Sequence, residues 1–292
     1  VLTRLMALFC GRDSETADVF LGTGGDGHTT PGATRPFGLV TMGPSNGVRH
    51  SWTHCSGYHY ESTTFAGLTH TALSGTGLGD LGDLLVRPVC GDSDRHYSLD
   101  HSAECGTPGY YSLQLGDDCA VEATATTRCG LTRVTCTGKK KPCGVVIDAT
   151  WGQNSKTTAA DVERVPTEED DGVVLIRGMR QSDGFGRRRK NEARAKGRTL
   201  YFACTATNVS RVDLRKTSVT LFVSSSEKKK RRRPPVDRDA VRTVGDVREA
   251  GAKEPRGRGK LRRPKLRGDG RRRRRGVEGT LGRPLRRQVV DP

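Results

Sequence analysis

An antiparallel β-sandwich is the fold class that the first 226 residues predict, and three observations predict it. Segments are short and rich in Val, Thr, Tyr, Leu and Ile; Gly, Pro, Asp or Lys bounds each one; and no long stretch with a 3.6-residue period appears. The strand candidates, in chain order, are 37–42, 84–89, 110–115, 120–126, 131–137, 144–147, 173–179, 199–207 and 218–224. Within the fifth, Thr132, Val134 and Cys136 alternate with Arg133 and Thr135, as one face of a half-buried strand requires. Many short strands with turns between them point to a sandwich or barrel. The charged stretch from Gln181 to Gly197 reads as a surface insertion.

Composition divides the chain near Ser226. Residues 227–292 hold 25 Lys and Arg against 9 Asp and Glu, and so carry +16 of the chain's formal +17. They contain no Phe, Trp, Tyr or Cys. Such a segment has little apolar surface with which to offset the entropy of ordering, so a disordered basic tail is expected over 227–292. Lys228–Arg233 and Arg271–Arg275 would attract any polyanion in a salt-sensitive way, and they resemble nuclear-localisation patches. No aromatic residue interleaves them, so base stacking by the tail is excluded.

All nine cysteines lie in residues 1–226, and none forms a Cys-x-x-Cys pair, which argues against a zinc ribbon or a thioredoxin-like centre. Disulfides among Cys105, Cys119, Cys129, Cys136 and Cys143 are compatible with an oxidising compartment, while spacing alone leaves the pairing open. Residues 1–17 read as a leader or the start of a fragment, the chain beginning at Val1. No apolar run approaches a membrane span. Asn208-Val209-Ser210 is a glycosylation sequon, and a secretory location is favoured.

Gly22-Thr-Gly-Gly-Asp-Gly27 satisfies the Gly-x-Gly-x-x-Gly spacing of dinucleotide sites, but that motif must open a helix. Pro31 and Pro36 follow too closely for one to form, and no Gly-Lys-Ser/Thr accompanies the glycines, so nucleotide binding is set aside. The run Trp52-Thr-His-Cys-Ser-Gly-Tyr-His-Tyr60 packs aromatics, imidazoles and hydroxyls into nine residues. An aromatic face beside a few placed polar groups suits a sugar ring, and it equally suits a loop whose Trp and Tyr cap a sandwich. A metal site on His54, His59 and His70 lacks a supporting spacing. Asp80 and Asp83 stand in a glycine-rich turn, where Asp ordinarily stabilises the turn itself. Neither they nor Glu61 is assigned a catalytic role.

The same residues carry a resemblance. Asp18-Val-Phe-Leu-Gly-Thr-Gly-Gly-Asp-Gly-His28-Thr-Thr-Pro-Gly-Ala-Thr-Arg-Pro-Phe-Gly38 resembles the opening of the α-mannosidases of glycoside hydrolase family 92. Cys55–Tyr60, Gly67–Gly77, Pro108–Ser112, Glu122–Arg128 and Tyr201–Ala203 follow in that family's order. Val19, where the family has Pro, and Thr69, where it has Ser, depart from the pattern, as do Thr53 and His54 between Trp52 and Cys55.

The resemblance implies an N-terminal β-sandwich over 18–226 that precedes an (α/α)₆ barrel. It further implies an inverting, Ca²⁺-dependent exo-α-mannosidase acting on α-mannosyl glycans. Inversion needs two carboxylates about 6.5–9.5 Å apart. In the family these, and most of the calcium shell, come from the barrel. No catalytic or metal residue is therefore assigned here, and no calcium ligand. Trp52 matches a family tryptophan expected at the leaving-group sugar, and His28, Tyr58, His59 and His70 lie in the same motifs as candidate substrate contacts. Because the family pattern fades where the barrel should begin, the tail is also expected to be a gene-model artefact, such as intron read-through or a frame-shift. Two other readings stay open: a stand-alone carbohydrate-binding module, and polyanion or nucleic-acid binding through 227–292.

Overall fold

The protein is represented by a computed structural model that describes residues 17–75, 80–91, 96–136, 142–167, 173–183, 197–223 and the backbone of 240–249. Two antiparallel sheets form the body. The first has seven strands: β1 (Ala33–Thr34), β2 (Thr41–Ser45), β4 (Gly67–Thr69), β5 (Leu85–Cys90), β11 (Cys143–Asp148), β16 (Ser218–Val223) and β15 (Val209–Leu214), in that spatial order. The second has eight: β12 (Thr157–Val165), β13 (Val173–Ser182), β14 (Thr199–Thr207), β17 (Ala240–Glu249), β10 (Cys129–Cys136), β9 (Cys119–Ala125), β8 (Tyr110–Leu115) and β7 (Glu104–Thr107). A small ribbon pairs β3 (Thr64–Phe65) with β6 (Tyr97–Ser98). The one helical turn among the described residues is His101–Ala103, so none is long and apolar enough to cross a membrane.

Sequence alternation sets which face each strand buries. In β14, Leu200, Phe202, Cys204 and Ala206 point inward while Tyr201, Ala203 and Thr205 point out. Opposite stand Val86, Val145, Ile147, Val219 and Leu221 of the first sheet, all in one core cluster with the β14 residues. Fully burying a side chain such as Phe202 contributes about 1.5–3 kcal/mol. Register places Cys143 beside Cys90 in the first sheet and Cys136 beside Cys119 in the second. Two disulfides whose cysteines both lie among the described residues nevertheless run between sheets, Cys90–Cys119 and Cys136–Cys143, and so clamp one end of the sandwich. Cys129, expected among the candidates for pairing, is free, as is the buried Cys55.

Two expectations need correction. The strand foreseen at 37–42 begins at Thr41, because Pro36-Phe37-Gly38 makes a turn in which Phe37 has a φ of 59° and is fully exposed. The disordered tail expected from residue 227 is corrected over Ala240–Glu249. That stretch pairs with β14 along Leu200–Thr207 and with β10 along Cys129–Thr135, in the interior of the larger sheet. Its Val and Thr content suits a strand, and averaging it with its basic neighbours concealed it. The rest of 227–292, like residues 184–196 of the expected insertion and residues 1–16 of the segment 1–17 expected as a leader or fragment start, lies outside the described residues. Gln181 and Ser182 belong to β13 rather than to an insertion.

Candidate glycan-binding face

Two loops build the site, 17–32 before β1 and 46–63 between β2 and β3. The glycine-rich loop folds back on itself without a helix. Thr23 N–H donates to Phe20 O (3.0 Å), Gly27 N–H to Gly24 O (3.3 Å) and Thr29 N–H to Gly22 O (3.1 Å). Gly22 has a φ of +78°, and a Cβ on Gly27 would collide with the Gly22 carbonyl, so both positions need glycine. The fold-back ends at His28, a non-glycine residue with a φ of +53°. A left-handed histidine is a conformation the surroundings must enforce.

That backbone delivers His28 against Trp52. The rings meet edge to face with centroids 4.7 Å apart, and Trp52 Nε1–H donates to Asp26 Oδ1 at 3.1 Å. Trp52 is 62 % exposed, whereas His28 is 5 % exposed. Neither ring nitrogen of His28 has a hydrogen-bond partner. Leaving a buried polar group unsatisfied costs about 1–3 kcal/mol, so such groups call for a missing partner. His59 closes the far side of the glycine loop. Its Nε2–H donates to Gly25 O (3.2 Å), its Nδ1 accepts from Glu61 N–H (3.3 Å), and its own N–H donates to Asn46 Oδ1 (2.6 Å).

Tyr58 and His70 lie elsewhere. Tyr58 is fully buried and its hydroxyl donates to Glu104 Oε2 (2.8 Å). Burial and then the Glu104 carboxylate push its pKa far up, so it stays a neutral donor. His70 is buried beneath the first sheet and hydrogen-bonds Leu84 O through Nδ1 (3.2 Å). Burial lowers its pKa to about 4, so the ring is neutral near pH 7, and its bond to a carbonyl oxygen places the proton on Nδ1. Both residues support the core rather than the loop face.

Sequence reasoning passed over three residues that complete the face. Asp26 fixes the indole edge. Tyr60, 44 % exposed, stacks on His101 at 4.2 Å and meets Phe20 edge-on. Gln153, almost fully buried, ties the second loop to the body by donating to Val48 O (2.7 Å) and His54 O (2.6 Å). The signal for Asp26 was its place inside the glycine cluster. For Gln153, more than ninety residues away in sequence, local sequence held none.

The imidazoles do not form a metal site. The rings of His54 and His59 are 5.5 Å apart, but the nitrogens of His54 engage Ser62 Oγ (2.7 Å) and Thr53 Oγ1 (2.9 Å), while His70 turns to Leu84. Burial, and then the neighbouring His59, hold His54 below the usual imidazole range. Asp80 and Asp83 prove to be ion-pair partners rather than turn stabilisers. Buried Asp83 accepts from Arg180 Nη1, Arg198 Nη2 and Thr71 Oγ1, and Asp80 accepts from Arg198 Nη1 (2.8 Å). With every acceptor oxygen of Asp83 engaged in joining β13 and β14 to the loop before β5, it is a structural carboxylate.

Residues 16–241 match the family model described as the glycosyl hydrolase family 92 N-terminal domain. The chain belongs to glycosyl hydrolase family 92. Its fold agrees: it aligns with the solved family GH92 α-mannosidase BT3965 of Bacteroides thetaiotaomicron at a TM-score of 0.62 and 23 % identity, over 79 % of this chain and 32 % of that one. A family GH92 inverting mannosidase of the same organism, BT2199, aligns at 0.58 and 18 %, over 79 % of this chain and 30 % of that one. An uncharacterized secreted glycosidase of Arthroderma benhamiae is 27 % identical over 145 residues, 45 % of this chain and 18 % of the relative. The chain thus spans less than a third of the length of each of these relatives. The matched region runs past Ser226 to residue 241, in keeping with the strand that begins at Ala240.

Calcium is a further property that the resemblance implied. Ca²⁺ takes six to eight oxygen ligands at about 2.3–2.6 Å. Asp26 is the carboxylate beside the His28–Trp52 pair, and it already holds the Trp52 indole. These residues do not fit a calcium site by themselves.

Proposed function

We propose that this domain forms one wall of a subsite for α-mannosyl glycans in an inverting, Ca²⁺-dependent exo-mannosidase. On this reading the catalytic carboxylates and the calcium shell belong to the portion of family 92 proteins that this chain does not span. The observation that carries the reading is the union of an exposed indole with a buried, unpartnered imidazole. The Trp52 face offers an apolar platform for the C–H side of a pyranose, and Asp26 holds it in place. The two unpartnered nitrogens of His28 lie buried beside that platform, with donor and acceptor capacity that no group of the domain uses. The domain moves no proton in the reaction; it orients the glycan and excludes water from one side.

The test is titration of the full chain with α-1,2-mannobiose, following tryptophan emission in a Trp151→Phe background. Mannobiose should change the Trp52 emission and protect it from acrylamide quenching, with an affinity on the order of millimolar for a single wall. Unchanged quenching at saturating disaccharide would sink the proposal. A second reading has its own observation, the +16 carried by residues 227–292. If the tail acts on polyanions, DNA retention should fall steeply with salt and drop sharply when 250–292, which carry +12 of that charge, are removed.

A further inference from the structure

We propose that Asn208 is a site of N-linked glycosylation, set at the head of an open sheet edge. Of the four asparagines in the sequence, Asn208 alone begins an Asn-x-Ser/Thr triplet, with Val209 between it and Ser210. The structure supplies what the triplet by itself lacks. Asn208 is the exposed turn residue between β14 and β15, with a φ of +62° that lifts it out of both strands. Ser210 is exposed as well. It falls in a bulge, because pairing of β15 with β16 steps from Val209↔Val223 to Arg211↔Phe222. Acceptor and hydroxyl therefore both stand on the outside of the hairpin, with Ser210 Oγ–H donating only to the Phe222 carbonyl at 3.1 Å.

Compartment is the second requirement, and the disulfides address it. Cys90–Cys119 and Cys136–Cys143 join the two sheets, and bonds of this kind form and persist in an oxidising lumen or outside the cell. In a eukaryotic cell, a chain that acquires them in the secretory route passes the place where oligosaccharides are transferred to asparagine. In the transfer, the Asn208 side-chain nitrogen forms a bond to C1 of the reducing-end sugar of a lipid-pyrophosphate-linked oligosaccharide. The bond from C1 to the pyrophosphate oxygen breaks, the lipid pyrophosphate leaves with the electron pair, and the amide proton is lost to the transferase.

Position gives the modification a physical consequence. Among the described residues β15 is the outer strand of the seven-stranded sheet, and an edge of this kind invites pairing with another chain. Leu214 at its far end is 48 % exposed. A hydrated glycan rooted one residue before Val209 obstructs strand addition at the near end of that edge.

The experiment directs the full chain into the endoplasmic reticulum of a eukaryotic cell. Intact mass is then read on retained and secreted protein, before and after peptide-N-glycosidase. One amidase-sensitive glycan is expected in the wild type. It should be absent from Asn208→Gln and Ser210→Ala and present again in Ser210→Thr, which restores the hydroxyl. Reading the retained pool keeps the result independent of whether a variant folds well enough for export. A wild-type mass equal to the bare polypeptide, or a glycan that persists in Asn208→Gln, overturns the assignment.

Discussion

His28 and Arg180 are both buried polar side chains, 5 % and 2 % exposed, yet they sit in opposite situations. The terminal nitrogens of Arg180 reach Asp83 and Ser155, so β13 is bound to the loop before β5 by charge-assisted hydrogen bonds. His28 has no partner for either nitrogen and leans on an exposed indole. The group whose terminal nitrogens the fold engages holds the fold, while the one left unpartnered beside an exposed ring is the candidate for a contact from outside. The difference separates scaffold from site within a single domain, and it yields predictions of graded size.

The largest effect belongs to the scaffold. Asp83→Ala leaves Arg180 and part of Arg198 as uncompensated buried charges, so unfolding free energy by urea titration should fall by about 3–5 kcal/mol. A loss below about 1 kcal/mol would erase the distinction from His28.

His70 gives the next effect, through pH. Its folded pKa of about 4 lies below the ordinary imidazole value of 6.5, so between those values the unfolded chain binds the proton that the folded chain refuses. Its contribution is therefore complete above about pH 6.5 and is lost as pH falls toward 4, a decline of about 3 kcal/mol. Urea titrations from pH 7.5 to 4 should show that slope in the wild type and a shallower one in His70→Gln. Parallel slopes would mean that His70 is not the titrating group.

On the site side the readout changes from stability to binding. His28→Ala should weaken mannobiose binding at least tenfold, about 1.4 kcal/mol, while destabilising far less than Asp83→Ala, since no hydrogen bond is lost. Isothermal titration beside thermal melts measures both quantities on one sample. Equal damage to binding and melting would place His28 in the scaffold. The smallest stability effect is that of Trp52→Ala, within about 0.5 kcal/mol, because the ring is mostly exposed.

What the sequence made legible follows the same division. Tyr110–Leu115 and Thr199–Thr207 were foreseen with their observed bounds, because their apolar residues alternate and turn residues bracket them. Thr157–Val165 and Val209–Leu214 are edge strands with few buried positions, and so lack the period-2 signal that exposes a central strand. Ala240–Glu249 was hidden by the charge around it. At the candidate face, two motifs distant in sequence bring His28 and Trp52 together, but Tyr58 and His70 share those motifs and turn inward. Residue type alone cannot distinguish a neutral, satisfied His70 from an unsatisfied His28; the three-dimensional environment makes that difference. Gln153 shows the limit most plainly, since its role is to join loops distant in sequence.

The central claim, that the Trp52 face is the glycan wall, is tested most directly by saturation-transfer NMR between the full chain and α-1,2-mannobiose. The claim predicts transfer concentrated on the ring C–H protons of one mannose face, abolished in Trp52→Ala and retained in Trp151→Phe. Transfer that is absent in the wild type, or unchanged by Trp52→Ala, would contradict it.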